Sequence, residues 1–177
     1  MQETTKRKEE TITIKNRWTG YTIFQSTKTT LKEAVEEAVE NGADLRGANL
    51  RETNLCDADL SGTDLSGADL RHADLSGTNL FGTDLSEADL YKANLHYADL
   101  SEANLYYAEL RHADLSEADL YLADLLGADL RETNLYLADL NGAELMNAKF
   151  YGKGGTTKME KSQLPEFLKA LGIEVVS

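Results

Sequence analysis

The chain has 177 residues, a mass of 19.5 kDa and a formal net charge of −13, with 31 acidic against 18 basic residues. That length, with 41% hydrophobic residues, fits one domain with a narrow, continuous core. The acidity argues against direct binding of nucleic acid. No apolar run approaches the ~18 residues of a membrane span, and no basic stretch precedes an apolar one near the start, so a cytoplasmic location is expected. The single cysteine, Cys56, excludes an internal disulfide.

In chain order, residues 1–10 (MQETTKRKEE) are polar and are expected to form a disordered tail. Thr11 to Lys15 and Tyr21 to Gln25 read as two short strands around a turn at Thr19 and Gly20, with Ile12, Ile14, Ile23 and Phe24 as their apolar content. A helix from about Leu31 to Glu40 follows. Thr30 and Glu33 have capping-box spacing, Leu31, Ala34, Val35, Ala38 and Val39 share one face, and Asn41-Gly42 ends it. Residues 11–42 are thus a hairpin-helix cap, with the helix over whatever follows. Trp18 is read as apolar bulk of this plug, in preference to a stacking surface for a ligand.

From Ala43 to Phe150 a five-residue unit repeats 22 times without a slip. With each unit written i−2 to i+2, position i is leucine from Leu45 to Leu145 and then Phe150. Position i−2 is Ala or Thr, and i−1 is Asp, Asn or Glu except at Lys149. A period of five cannot keep an apolar stripe on a helix of 3.6 residues per turn. Alternation fits instead: i−2 and i point inward, i−1 and i+1 outward, and the chain coils. A small residue suits the crowded i−2 corner, uniform leucines stack between coils, and Asp or Asn at i−1 can bond nearby amides at the turns.

The A(D/N)LXX pattern resembles that of the pentapeptide-repeat family. The resemblance implies an all-β solenoid, a right-handed quadrilateral β-helix with four units per coil and about 5.5 coils over residues 43–152. At ~4.8 Å per coil the rod is roughly 26 Å long. The run from Ile14 to Gly20 is also similar to segments preceding the repeats in uncharacterised bacterial and phage relatives. Some members of the family bind DNA gyrase in place of DNA, and some of these dimerise through the C-terminal half.

Beyond the repeats, residues 153–177 read as a linker, taken as flexible over Gly152 to Lys158, and a short helix from Ser162 to Leu171 with Pro165 in its first turn. Leu164, Phe167, Leu168 and Leu171 are its apolar face. They are expected to cover the last coil, with the same surface of a second molecule as the alternative. Ile173 to Val176 is read as an additional edge strand.

The repeats carry a net charge of −14, about one charge per 1.9 Å of rod against ~1.7 Å for duplex DNA. All of that excess lies at i−1, where the scaffold itself asks for Asp or Asn; i+1 and i+2 hold six acids and six bases. Asp44, Asp64, Asp84, Asp124 and Glu144 form one candidate acidic strip. On the second face Arg51, Arg71, Tyr91, Arg111 and Arg131 stand in register, with His72, Lys92 and His112 beside them. This column is a candidate anion-binding stripe, but Asp69, Glu109 and Asp129 are placed to pair with the arginines, and ion pairing is the preferred reading. Exposed apolar residues gather in the C-terminal half: Tyr106, Tyr107, Tyr121, Leu122, Leu126, Tyr136, Leu137 and Met146, read as a partner or dimer surface, with stabilising tyrosine ladders as the alternative.

No cofactor, metal or catalytic site is predicted. His72 and His112 are about 10 Å apart, and the outward serines (Ser61, Ser66, Ser76, Ser86, Ser101, Ser116) are read as having no His and acid at fixed reach. The sequence points to a non-enzymatic scaffold that binds a protein partner of unidentified kind, with DNA mimicry toward a type II topoisomerase such as DNA gyrase as the alternative. A repeat with no tight partner is a third reading.

Overall fold

The computed structural model describes residues 11–152, 155–156 and 161–171. The expected tail at 1–10 and the edge strand at 173–176 lie outside them. The molecule is a coil of pentapeptide units in which residue n bridges residue n + 20 in parallel, from Asn49 with Asp69 to Asp129 with Lys149. Twenty residues per coil make four sides. Each contact is a single-residue bridge at i−1 flanked by turns. Leucine N–H groups donate to a carbonyl 19 residues on at 2.6–2.9 Å, and i−1 N–H groups donate to a carbonyl 21 residues back at 2.8–3.0 Å. Each inner coil therefore satisfies its backbone on its neighbours, as a buried polar backbone requires.

Each unit turns a corner by a bond from the next i−2 N–H to the leucine carbonyl, for example Ala48 to Leu45 at 3.0 Å. Position i+2 has φ between +54° and +73° at every unit from 47 to 147, the third position of a type II turn. Fourteen of these residues are not glycine, so the left-handed corner belongs to every unit and not only to those with Gly. The i−1 side chain stabilises the corner by accepting from the i+1 N–H, as Asp64 does from Ser66 (3.0 Å) and Asn104 from Tyr106 (3.0 Å). Inside, Leu45 to Leu135 and Leu145 are 0% exposed and Leu140 3%.

Thr78, Thr83 and Thr133 donate their hydroxyls to Leu55, Leu60 and Leu110 carbonyls of the preceding coil at 2.8–2.9 Å. Thr53 and Thr63 have buried hydroxyls without a partner. The carbonyl 23 residues back, which the other three use, falls before the coil begins.

The N-terminal segment supplies what a first coil lacks. β1 (Ile12–Lys15) pairs antiparallel with β2 (Thr22–Ser26). The end of β1 then adds to the stack: Asn49 N–H donates to Lys15 O and Arg17 N–H to Gly47 O, both at 2.7 Å. Helix α1 (Leu31–Glu40) has the Thr30–Glu33 capping box, and its Val35 and Ala38 are buried with Leu45 in the common core. Burial of Val35 contributes about 1.5–3 kcal/mol. Lys32 ties the helix to the coil by donating to Cys56 O at 2.6 Å.

At the other end β3 (Tyr151–Gly152) pairs with β4 (Gly155–Thr156), a two-residue ladder inside the segment read as a flexible linker; 153–154 and 157–160 lie outside the described residues. A 3-10 turn (Lys161–Gln163) leads into α2 (Leu164–Ala170), so the α-helix begins later than Ser162. Phe167 and Leu171 pack on the core, the Phe167 ring edge-on to Phe150 with centroids 4.9 Å apart. Leu168 is half-buried, while Leu164 is 43% exposed and leaves the covered face. Gln163 stands over the last corner of the third side instead, donating to Leu135 O and Ala138 O and accepting from Leu137 N–H.

Candidate functional site

The 20-residue register sorts every outward residue onto a side. The first side, with leucines 45, 65, 85, 105, 125 and 145, holds six acids and one base; the second, starting at Leu50, holds six of each. The third and fourth hold four and five acids and no base. The excess negative charge therefore occupies three contiguous sides and spares one.

Asp64, Asp84, Asp124 and Glu144 are linked through Asn104 in one ladder of bridges on the first side. Asn104 Nδ2 donates to Asp84 Oδ1 at 3.2 Å. Asp44 heads the same column, and hydrogen bonds from the Arg46 side chain hold its carboxyl down at about 2. Asparagines also separate carboxylates elsewhere: Asn94 donates to Asp74 at 3.0 Å and Asn134 to Asp114 at 2.9 Å.

On the second side the arginines fold back onto the i−1 acids. Arg71 binds Asp69 at 2.6 Å, Arg111 binds Glu109 at 3.2 Å, and Arg131 is paired with Asp129. Asp69 and Asp129 are only 4% and 2% exposed, because the arginines that bind them also cover them. Burial raises both carboxyls, but hydrogen bonds from Arg71 and Arg131, with nearby positive charge, outweigh it and leave both lowered. The Tyr91 ring lies edge-on to His72 and His112, with Lys92 and Arg111 5.3 and 5.6 Å from its centroid. These cations are engaged within the side.

The exposed apolar residues do not form one patch. Tyr136 and Leu137 belong to the third side, Tyr121 and Leu122 to the fourth, and Tyr106, Tyr107, Leu126 and Met146 to the corner after the first, so together they make a belt around three sides. Tyr106 (39%), Tyr107 (50%), Leu122 (48%) and Met146 (59%) are exposed and Leu126 is half-buried. Tyr107 lies over Gly127, and Leu122 over Gly142.

Trp18 is not a core plug. It is 68% exposed and lies outside the stack against Gly47 and Gly67, where a Cβ would come within 2.3 and 2.5 Å of its ring. Arg17 holds that position by donating to Gly67 O and Ala68 O at 3.2 and 3.0 Å and reaching Asp89 at 3.4 Å. An open cleft of about 460 Å³ is lined there by Trp18, Arg46, Ser66, Ser86 and Glu87, among others. No sequence signal fixed this location, because Trp18 precedes the repeat and has no place in its register.

One serine does meet a histidine and an acid. Ser116 Oγ is 2.9 Å from His96 Nδ1 and donates to Asp114 at 2.6 Å. The hydroxyl proton points to the carboxylate and the acid does not orient the imidazole, which reverses the order nucleophilic activation needs. Among the described residues no group of three or more His, Cys, Asp or Glu is placed to hold a metal, and no helix is long and apolar enough to cross a membrane.

The family model for pentapeptide repeats matches residues 41–77, 68–105, 83–121 and 113–152, which together cover more than half of the chain. The chain belongs to the pentapeptide-repeat family. Among solved structures this pentapeptide-repeat protein is similar to HetL, a pentapeptide repeat protein involved in heterocyst differentiation regulation from Nostoc sp. strain PCC 7120, at 38% identity and a TM-score of 0.32. The match covers 64% of this chain and 59% of HetL. It is also similar to Rfr23 from the cyanobacterium Cyanothece 51142 (26% identity, 59% and 91% covered, TM-score 0.29). QnrB1, a plasmid-mediated fluoroquinolone resistance protein, matches at 25% identity with 75% and 74% covered and a TM-score of 0.36. No curated protein matches.

Proposed function

We propose that the chain is a non-enzymatic, cofactor-free protein-binding scaffold of the cytoplasm, a right-handed quadrilateral β-helix of about 5.5 coils that presents its outer columns to a partner. The observation that carries this reading is the belt of exposed tyrosines, leucines and methionine in the C-terminal half, on a stack whose two ends are already covered by α1 and α2. A surface so apolar, rimmed by carboxylates, suits contact with another protein. Because α2 covers the last coil, a homodimer would use the belt and not the open end of the stack.

The second reading, mimicry of DNA toward a type II topoisomerase, is favoured by the placement of the acid excess on three contiguous sides. The strip Asp64, Asp84, Asp124 would lie at its edge. The two readings respond differently to salt. Immobilised protein is exposed to host lysate and eluted by a salt gradient. On the scaffold reading, a captured protein persists to high salt and is lost with Leu122→Ser plus Leu126→Ser. Release of gyrase subunits at modest salt, abolished by Asp64→Asn, Asp84→Asn and Asp124→Asn, would overturn it in favour of mimicry.

A further inference from the structure

The corner after the first side is continuous from one end of the molecule to the other. Backbone hydrogen bonds run along it from Arg17 N–H to Gly47 O, Gly47 to Ser66, Gly67 to Ser86, Glu87 to Tyr106, Tyr107 to Leu126 and Gly127 to Met146, all at 2.7–3.0 Å. Exposed side chains on this ladder include Trp18 against the first two coils, Arg46, Glu87, Tyr106, Tyr107 and Met146, with Ser86 and Leu126 half-buried among them. Trp18 thus lends the repeat an aromatic rung that the repeat itself lacks where it has Gly47 and Gly67. Along one flank run Asp64, Asp84, Asp124 and Glu144. The sole basic residue of that side, Arg46, is already bound to Asp44.

We propose that this corner is a docking track for a cationic, amphipathic helical segment of a protein partner. The proposal rests on the scaffold reading above and names the partner's chemistry. Rungs spaced by ~4.8 Å match the ~5–6 Å between helix residues three and four apart better than the ~6.8 Å between same-face residues of a strand. Five intervals make about 24 Å, the length of a helix of about 16 residues. The helix lays its apolar stripe on Trp18, Tyr106, Leu126 and Met146, and its lysines or arginines face the uncompensated acids of the first side. The neutral second side, where each arginine is bound to an acid, gives no such attraction.

Trp18 is the only tryptophan and reports from inside the track. The probe is a 16-residue leucine–lysine peptide with leucines at helical spacing, compared with a scrambled peptide of the same composition at 0.15 M salt. Titration is followed by Trp18 emission and by calorimetry. The periodic peptide is expected to bind at least tenfold more tightly than the scrambled one, to shift Trp18 emission, and to lose tenfold or more with Leu126→Ser plus Met146→Ser. Glu87→Gln with Asp84→Asn should weaken it several-fold and flatten its salt dependence. Equal affinity for both peptides, an unshifted Trp18, or indifference to the Leu126 and Met146 substitutions overturns the track. If the track fails while a lysate partner is still lost with Leu122→Ser plus Leu126→Ser, the scaffold reading stands without it. If the partner is retained by that variant, the scaffold reading fails whatever the peptide does.

Discussion

Two residues that look interchangeable in the repeat are distinguished only by the coil they sit in. Thr63 and Thr78 both occupy the small inward position, yet Thr78 donates to Leu55 O at 2.8 Å while the Thr63 hydroxyl is buried with no partner. A buried unpaired hydroxyl is unfavourable, whereas a satisfied one contributes about 1 kcal/mol. Thr78→Val is therefore expected to lower unfolding free energy by about 1 kcal/mol, and Thr63→Val to leave it unchanged or raise it. Urea titration of the two variants decides the matter, and equal losses would sink the argument. The left-handed corner shows the same dependence of residue choice on position. No β-branched residue occurs at i+2 from 47 to 147, where φ is positive throughout and a branched Cβ clashes hardest.

Among the elements, the hairpin strap depends on a gap. Gly67 has φ +63° and a Cβ there would lie 2.5 Å from the Trp18 ring, whereas Gly62 has φ +65° and open space around it. The same substitution at both positions isolates the contact from the backbone cost. Gly67→Ala is expected to push Trp18 off the stack, red-shift its emission and destabilise the protein by about 1 kcal/mol more than Gly62→Ala, given the cost of overpacking. Indistinguishable spectra would show that the indole does not rest there. What was legible in the sequence follows the same logic. The repeat was readable because its period excludes a helix and fixes which residue faces inward. Helix α1 was readable because Thr30 and Glu33 form a reciprocal cap. Trp18 and Gln163 were not, since both lie outside the repeat and its register; the Ser116–His96 contact joins neighbours in one column, but the register alone does not say which side chains of a column touch. The members of the belt were legible, but reading them as one surface overlooked that the 20-residue register distributes them over three sides.

For the whole molecule, the acids covered by hydrogen-bonding neighbours bear most on its behaviour in acid. Burial raises Asp129, but the Arg131 side chain, its backbone N–H and nearby positive charge lower it further; Asp114 is likewise raised by burial but lowered by Ser116, Asn134 and His96. A carboxyl whose folded pKa lies below its unfolded value of about 3.9 contributes stability that is complete above that pH. The contribution disappears as pH falls through the folded value, where both states are protonated. The wild-type protein should accordingly keep its stability from neutral pH down to about 4 as far as these groups are concerned, and lose it below. Arg131→Gln removes the side-chain pair and leaves burial opposed by the backbone N–H, the charge of Lys149 and the more distant Arg111, 3.8 Å away. Asp129 then becomes easier to protonate in the folded state, and an unpaired buried carboxylate destabilises the fold at neutral pH. The expected outcome is a lower unfolding midpoint at pH 7, with much of the difference from wild type closing as pH falls below about 4, where wild type also loses the pair. Unfolding followed by circular dichroism from pH 2.5 to 8 measures this. A deficit that stayed constant across that range would mean that Arg131 acts through packing of its stem, and that the buried ion pair does not govern the acid limb.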